Sequence, residues 1–346
     1  MTKFLKFASQ DFGVDLGTAN SLIYQVGRGI VINEPSMVAL NTKTSQIHAI
    51  GHEASRMLGR TPSHIEVVKP LVNGVISDFD MAQEMLQKFF QKLGSSFFRY
   101  RRAVIGVPIN LTEVERKSVE DAVLGAGAAR AYIIEEPLAA ALGADLPINE
   151  STASMIVDIG GGTTEIAVIS TGGIVTALSL KVAGEKLNED LIRFVREEFK
   201  LAIGEPTAEE IKKTVGSATP IDERLEMLIR GRDMATGLPR EINIKNTQAR
   251  VAMSRSLRLI IDAIRDVIEM TPPELVGDTL KSGVHLCGGG SLLRGMDQLI
   301  EKELGVKTVV IDDPLTCVVR GTGVAIEKLE FYKNILNVPM QPKDIS

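Results

Sequence analysis

Two stretches of one pattern decide the fold of this chain: FGVDLGTANSLIY (residues 12–24) and MIVDIGGGTTEIAV (residues 155–168). Each stretch reads as an apolar strand that carries an aspartate, a turn of small residues with threonine, and a second apolar strand. Small-residue turns present backbone N–H groups to an anion and so form phosphate-binding nests. A single such hairpin is usually an ordinary turn, but two copies predict a duplicated fold that clamps a nucleotide between its halves.

Two aspartates, Asp15 and Asp158, occupy the same position in the two copies. If they face each other across a cleft, they can hold a hydrated Mg²⁺, because this ion keeps several waters and binds one or two carboxylates together with substrate phosphates. The alternative is that both aspartates only cap turns. The pairing of the copies favours the magnesium site.

The bulk composition restricts the class of protein. A length of 346 residues suits two lobes of ordinary domain size, and 44% hydrophobic with 24% charged residues is typical of a soluble globular protein. The net charge of −5 argues against a nucleic-acid partner. The two cysteines, Cys287 and Cys317, stand in apolar stretches and are predicted to be reduced, buried thiols of a cytoplasmic protein.

Strand and helix patterns alternate along the chain, which predicts the α/β class. End signals predict several boundaries. The predictions are a helix N-capped by Asp80, a helix opened by a capping box of Thr112 and Glu115, a capped helix over 207–212 with Glu210 at the capping position, a basic turn over 230–240, a helix over 254–270, and a last helix from Cys317 to about Leu329.

Six segments in this order resemble the MreB family of bacterial actins, within the superfamily of actins, sugar kinases and heat-shock ATPases. They are DLGTAN (15–20), NEPS (33–36), EEP (135–137), DIGGGTTE (158–165), IRGRDMATGLP (229–239) and CGGGSLL (287–293). The resemblance implies a duplicated actin-like (ribonuclease H-like) two-lobe ATPase fold of the α/β class, in which each lobe carries a small inserted subdomain.

The domain organisation expected from this resemblance has six parts. Lobe one has its core in 1–33 and 74–148 with a return helix over 317–330, and its insertion covers 34–73. Lobe two has its core in 149–181 and 251–316, and its insertion covers 182–250. Residues 331–346 form a C-terminal tail.

The resemblance also implies a site for ATP and Mg²⁺. Asp15 and Asp158 would hold Mg²⁺ through its waters, and two glycine-containing loops would bind the β- and γ-phosphates. The nucleotide-binding residues implied are Gly17, Thr18, Ala19, Asn20, Gly160, Gly161, Gly162, Thr163, Glu209, Lys212, Gly288, Gly289, Gly290, Ser291 and Leu292.

Two carboxylates of this site have simpler readings without the resemblance. From the local sequence alone, Glu136 would be a helix-start carboxylate before Pro137. The resemblance implies instead that Glu136 positions the attacking water and that Thr163 is a second catalytic residue. Glu209 and Lys212 would be a solvated surface pair; with the resemblance, they meet the ribose and the base. Glu135 is expected to be structural.

Two short apolar segments are predicted to contact lipid. One contains Phe4, Leu5 and Phe7 between lysines, and the other is the pair Phe97 and Phe98 followed by arginines. Both combine apolar and cationic groups, which suits an anionic membrane surface. The alternative for Phe97 and Phe98 is that they return to the core.

The function implied is an ATP-dependent bacterial actin with slow ATP hydrolysis. Its filaments would be head-to-tail protofilaments in antiparallel pairs on the inner face of the cytoplasmic membrane. Membrane-bound cell-wall elongation proteins would be its partners in organising cell-wall synthesis and rod shape. The alternative is a small-molecule kinase or a non-polymerising ATPase of the same superfamily.

Overall fold

The computed structural model describes residues 11–93 and 102–336. The predicted lipid-contacting residues, namely Phe4, Leu5, Phe7, Phe97 and Phe98, lie outside these ranges. The described residues form two compact units. The first contains those of Met1–Ser151, Ile169–Ile174 and Leu315–Ser346, and the second contains Thr152–Val168 and Val175–Pro314.

Eighteen strands are present in the described part of the chain. They are β1 (Phe12–Leu16), β2 (Asn20–Gln25), β3 (Gly29–Pro35), β4 (Val38–Asn41), β5 (Gln46–Ile50), β6 (Ile65–Val68), β7 (Leu71–Val72), β8 (Val75–Ile76), β9 (Arg102–Val107), β10 (Arg130–Glu135), β11 (Ser154–Ile159), β12 (Thr164–Ser170), β13 (Gly173–Leu180), β14 (Leu201–Ala202), β15 (Glu226–Asp233), β16 (Pro239–Lys245), β17 (Val284–Cys287) and β18 (Thr308–Val310).

Ten α-helices accompany these strands within the described ranges. They are α1 (His52–Met57), α2 (Phe79–Lys92), α3 (Glu113–Gly125), α4 (Glu136–Gly143), α5 (Gly184–Phe199), α6 (Glu205–Val215), α7 (Asn246–Met270), α8 (Pro273–Ser282), α9 (Met296–Leu304) and α10 (Cys317–Glu327). Of the helices described, none has both the length and the apolar character needed to cross a membrane.

The two large sheets repeat one arrangement. Their strand orders are β10-β9-β1-β2-β3 and β13-β12-β11-β17-β18. In each sheet the strand that bears the aspartate is central, with its hairpin partner on one side and parallel strands on the other: β1 pairs in parallel with β9, and β11 with β17. The duplication that the paired hairpins predicted is therefore present in the topology.

Each large sheet has its own apolar core. In the first unit Phe12, Val14 and Ile105 pack with Leu86 and Phe89 of α2. The core of the second unit is larger and includes fully buried side chains of β11, α5, α7 and β17: Met155, Leu191, Ile260 and Leu286. Burying one such side chain contributes about 1.5–3 kcal/mol, so these cores hold the strand ends in place.

Three smaller sheets complete the described chain. Strands β5-β4-β6 form one sheet, β14-β15-β16 form another, and β7 with β8 forms a two-stranded hairpin. The first of these small sheets lies within residues 34–73 and the second within residues 182–250. The predicted subdomain boundaries themselves stay a prediction.

Two predicted helix starts are wrong by a few residues. Helix α2 is capped by Asp78, whose Oδ1 accepts a hydrogen bond from the N–H of Met81 at 3.1 Å, and Asp80 lies in the first turn. Helix α6 begins at Glu205 after Gly204, because Pro206 is accommodated in the first turn. Glu210 is therefore not at a capping position.

Two further predictions need correction in the second unit. The predicted basic turn over 230–240 is mostly strand: β15 and β16 pair through Arg230 and Glu241, so only the residues between Asp233 and Pro239 turn. Helix α7 starts eight residues before Ser254, at Asn246. Alternating exposed and buried side chains along β15 are the signal of a half-buried strand that the basic residues obscured.

Other predictions are confirmed. The capping box of Thr112 and Glu115 opens α3, with both the side-chain and the backbone bonds present. Cys287 and Cys317 are buried and form no disulfide. The last helix, α10, ends at Glu327, close to the predicted Leu329.

Candidate functional site

The first of the two loops predicted to bind phosphate joins β1 to β2. Leu16 and Ser21 are partners in the antiparallel register, so Gly17, Thr18, Ala19 and Asn20 make the turn. A Cβ atom on Gly17 would lie 2.7 Å from the carbonyl oxygen of Asn20, closer than real side chains approach. The turn is therefore too tight for any residue but glycine at this position.

Thr18 ties this loop to the β7–β8 hairpin. Its Oγ1 accepts a hydrogen bond from the backbone N–H of Gly74 at 2.9 Å, and the side chain is buried. A hydroxyl that accepts one bond keeps its own hydrogen for another acceptor. Thr18 can thus donate to a phosphate oxygen while it remains attached to the hairpin.

Asp15 and Glu136 belong to neighbouring strand ends of the first unit. Asp15 is in register with Gly106 of β9, and Gly106 is in register with Ile134 of β10, directly before the residues that open α4. A Cβ atom on Gly106 would lie 3.6 Å from Cγ of Glu136, which is 9% exposed. The carboxyl ends of parallel strands are where ligands bind in α/β sheets. Both predicted carboxylates therefore lie at this edge.

Glu135 has a structural partner, as predicted. Nη2 of Arg116 on α3 lies 3.3 Å from its Oε1. This ion pair attaches the end of β10 to α3 and fixes the residue that precedes Glu136. The position of Glu136 also agrees with the simpler interpretation of a helix-start carboxylate, because it is the first residue of α4 and Pro137 stands in the first turn.

The second loop predicted to bind phosphate joins β11 to β12. The N–H of Gly160 donates to the carbonyl oxygen of Thr163 at 2.9 Å, which closes the turn. The first two N–H groups of α5, those of Gly184 and Glu185, donate to the carbonyl oxygens of Gly160 and Gly161 at 3.1 and 2.8 Å. These two carbonyl groups thus face the start of α5.

Asp158 lies beside a second buried carboxylate that sequence reasoning did not assign to the site. Burial and the negative charge of Glu165 raise the pKa of Asp158 to about 7, against a hydrogen bond from Cys287 that lowers it. Glu165 is 1% exposed, and Ser179 donates to its Oε1 at 2.5 Å. The sequence signal that could have identified Glu165 is its charge, inside an otherwise mostly apolar strand.

This pair of carboxylates fits a divalent cation. A cation near Asp158 would offset both the burial of its charge and the repulsion from Glu165. Within the described ranges no three His, Cys, Asp or Glu side chains are grouped so as to cage a metal by themselves.

Glu209 and Lys212 form an ion pair on α6, as their spacing predicted. Nζ of Lys212 lies 2.6 Å from Oε2 of Glu209 and also donates to the carbonyl oxygen of Gly184 at 2.9 Å. Nδ2 of Asn188 donates to the same Oε2 at 2.8 Å. Burial alone would raise the pKa of Glu209, but Lys212, Asn188 and Lys213 outweigh it and lower the pKa to about 2.

These contacts connect the ion pair to the loop between β11 and β12. Gly184 begins α5 and touches both groups: a Cβ atom there would lie 3.2 Å from the carbonyl oxygen of Gly160 and 3.3 Å from Nζ of Lys212. The second unit therefore brings together Gly160, Gly184, Asn188 and the Glu209–Lys212 pair. Asn188 carried no sequence signal, because its role depends on the packing of α5 against α6.

The three glycines after β17, which are predicted to bind the nucleotide, have a packing role in the structure. Gly288 has a φ of +76°, and a Cβ atom there would lie 2.2 Å from Oδ1 of Asp158. A Cβ atom on Gly290 would meet the side chain of Ile159 at the same distance. Ser291 donates its hydroxyl to the carbonyl oxygen of Gly288 at 2.6 Å, and Leu292 is exposed. This turn must therefore approach β11 closely.

A family model described as MreB/Mbl protein matches residues 9–334. The chain belongs to the MreB/Mbl family. This agrees with the resemblance carried by the six sequence segments.

Curated relatives in the MreB/Mbl family match along nearly their whole length. The cell shape-determining protein MreB of Escherichia coli (strain K12) is 45% identical over 338 residues, which cover 96% of this chain and 97% of the relative. The cell shape-determining protein Mbl of Bacillus subtilis (strain 168) is 45% identical over 323 residues, covering 93% and 97%.

Solved structures share the fold of this MreB/Mbl chain. MreB5 of Spiroplasma citri bound to ADP aligns with a TM-score of 0.90 at 38% identity, over 94% of this chain and 98% of that one, and its AMPPNP complex gives the same values. A MamK double helical filament aligns with a TM-score of 0.79 at 23% identity, over 92% and 99%, and supports the fold alone. The predicted actin-like fold is confirmed.

Proposed function

We propose that this chain is an ATP-dependent bacterial actin that forms membrane-associated filaments and hydrolyses ATP slowly. One observation carries the proposal: the duplicated sheets place Asp15 and Asp158 on equivalent central strands, each followed by a tight loop suited to phosphate. Cell shape-determining relatives at 45% identity, and a relative of known structure that binds ADP and AMPPNP, support it.

Each unit carries residues that we propose bind ATP. The first unit offers the loop from Gly17 to Asn20, and the second offers the loop from Gly160 to Thr163 with the Glu209–Lys212 pair. Asp15 and Asp158 would hold Mg²⁺ through its waters. When bound, Mg²⁺ would neutralise charge on the phosphates.

Glu136 is the proposed catalytic residue. Its carboxylate accepts a hydrogen bond from the attacking water and turns a lone pair of that water toward the γ-phosphate. The hydroxyl of Thr163 and the backbone N–H groups of both loops stabilise the charge that develops on the phosphate oxygens.

Replacing Glu136 separates hydrolysis from binding. We expect Glu136→Ala to keep ATP affinity within about twofold and to slow phosphate release by roughly a hundredfold, the usual effect of losing a general base. Glu136→Gln is the matched control for shape and should also be slow. Asp158→Ala should weaken Mg²⁺-dependent ATP retention as well. Normal phosphate release by Glu136→Ala would show that Glu136 does not position the water.

Assembly is the second part of the proposal. Identical subunits joined head to tail by a heterologous contact give an open filament when the rotation does not close. We expect ATP-dependent sedimentation, and antiparallel pairs of protofilaments by electron microscopy. Monomeric behaviour at high concentration, with ATP and lipid present, would contradict the filament proposal.

Membrane association is proposed from the sequence of residues outside the described ranges. Phe4, Leu5 and Phe7, together with Phe97 and Phe98, would place the filament on the inner face of the cell membrane, where cell-wall elongation proteins are partners. Each buried Phe contributes at most about 1.5–3 kcal/mol, so repetition along a filament is needed. A chain that lacks residues 2–8 and carries Phe97→Ser and Phe98→Ser should polymerise without pelleting with liposomes. Unchanged pelleting would refute this.

A further inference from the structure

Residues 33–36 include the end of β3, at Pro35, and the first residue of the connection that leads from the large sheet of the first unit to β4. Ser36 has an exposed fraction of 0%, although it carries a polar side chain. Buried hydroxyl groups are costly unless they are hydrogen-bonded, so its bonds indicate what it does there.

Ser36 binds the first phosphate-binding loop at two points. Its backbone N–H donates to the carbonyl oxygen of Ala19 at 3.0 Å, and its Oγ donates to the carbonyl oxygen of Gly17 at 2.6 Å. The residue before it, Pro35, is the partner of Asn20 at the end of β3, and the bond from Ser36 to Ala19 is the next bond of that antiparallel ladder. The ladder between β2 and β3 therefore passes to Ser36, and through it to the loop.

A second buried hydroxyl fixes the direction of these bonds. Oγ of Ser21 lies 2.9 Å from Oγ of Ser36, and Ser21 is also fully buried. A carbonyl oxygen only accepts, so the single hydroxyl hydrogen of Ser36 goes to Gly17. Ser21 must then donate to Ser36. The result is a directed chain from Ser21 through Ser36 to the loop.

The orientation of the two carbonyl groups determines which N–H groups face the anion. In a planar trans peptide the C=O of one residue and the N–H of the next point in opposite directions. Holding the carbonyl groups of Gly17 and Ala19 toward Ser36 therefore turns the N–H groups of Thr18 and Asn20 to the opposite side of the loop. A reversed peptide would instead present a carbonyl oxygen to the phosphate and repel it.

We propose that Ser36 is a positioning residue that sets the first loop for phosphate by holding the carbonyl oxygens of Gly17 and Ala19. This inference rests on the proposed ATP binding. It assigns to the NEPS segment a role in phosphate recognition that involves no contact with the nucleotide.

The decisive comparison is Ser36→Thr against Ser36→Val. Threonine and valine have nearly the same shape, so both add the same buried methyl group and differ only in the hydroxyl. Competition against a fluorescent ATP analogue measures the Kd of Mg-ATP and of adenosine for each. We expect the valine variant to bind Mg-ATP roughly threefold to tenfold more weakly than the threonine variant, the equivalent of one net hydrogen bond. Adenosine, which lacks phosphates, should bind both alike.

Two further variants keep the test decisive if valine prevents folding. Ser36→Ala removes the hydroxyl without adding bulk, and Ser21→Ala removes only the hydroxyl that donates a hydrogen bond to Ser36. Both variants should raise the ratio of the ATP Kd to the adenosine Kd. Ser256→Ala is the matched control, because Ser256 is a buried serine of the second unit that donates to Oδ2 of Asp190 at 2.5 Å. It should lower thermal stability and leave the ratio unchanged.

The outcomes separate this inference from the proposed function. If the parent chain binds no ATP, both are overturned. If the parent binds ATP but the threonine and valine variants bind it equally, only the role of Ser36 is wrong. The role of Ser36 is also wrong if adenosine binding weakens in parallel with ATP binding, or if Ser256→Ala changes the ratio of the two Kd values as much. In either case the effect would be one of general stability.

Discussion

Replacing Gly321 by alanine tests the closest helix contact in the first unit. Helices α4 and α10 cross backbone to backbone: a Cβ atom on Gly321 would lie 1.7 Å from the carbonyl oxygen of Ala139, and one on Gly143 would lie 1.9 Å from that of Cys317. Carbon and oxygen atoms need about 3.2 Å, so Gly321→Ala forces the helices apart by roughly 1.5 Å. No side-chain rotation can relieve a contact with backbone.

The expected loss follows from this displacement. Overpacking a dense core costs about 1–3 kcal/mol and more where backbone must move, so we take roughly 3–5 kcal/mol here. Alanine regains about 0.5–1 kcal/mol by its higher helix propensity. The net loss is about 2–4 kcal/mol, which lowers the Tm of the first unit by roughly 5–15 °C.

A matched control exists in the second unit. Gly277 lies inside α8 and has no atom within 4 Å of a built Cβ, so Gly277→Ala makes the same change in open space. It should raise the Tm of that unit by a few degrees at most. Thermal unfolding followed by circular dichroism measures both. A Gly321→Ala variant that melts within 1 °C of the parent, or a Gly277→Ala variant that loses as much, would refute the reasoning.

Two pH effects follow from the acidic groups of the second unit. The pKa of Asp158, raised to about 7 by burial and Glu165, exceeds its ordinary 3.8, so the folded chain retains a proton that the unfolded chain loses. Stability without nucleotide or Mg²⁺ should therefore fall as pH rises from about 4 to 7, and urea midpoints of Asp158→Asn should lack this fall. Glu209 has the opposite effect, because its pKa is lowered from an ordinary value of 4.5 to about 2. The ionised Glu209 therefore stabilises the fold fully above pH 4.5, and this stabilisation is lost as the pH falls toward 2. Glu209→Gln should remove that acid dependence while Lys212 keeps its bond to Gly184, and an unchanged acid midpoint would contradict this.

The sequence predicted those parts of the site that depend on local pattern. The two aspartate hairpins, the capping box at Thr112 and the i,i+3 pair of Glu209 and Lys212 are each set by residues a few positions apart. Such spacings determine local geometry before tertiary packing acts. The duplicated sheet topology then follows from the repeated hairpin.

The remaining parts depend on residues that are distant in sequence. Ser36 reaches the first loop only because β2 and β3 pair, and Asn188 reaches Glu209 only because α5 packs against α6. Asp78 capped α2 in place of Asp80 because two acceptors lay within one turn, and sequence alone does not choose between them. The sequence shows Glu165 as a charged residue within an apolar strand, but only its neighbour Asp158 was predicted to belong to the site.

The crossing of α4 and α10 also has a consequence for the order in which the chain folds during synthesis. The first unit is discontinuous in sequence, because α10 belongs to it but follows the second unit in the chain. Its described residues before Ser151 depend on α10 to cover Gly13, Gly106 and α4. The ribosome makes α10 only after the whole second unit, at ordinary rates roughly ten to thirty-five seconds later. The amino-terminal unit must therefore wait, incompletely covered, while the second unit is made and acquires its own core.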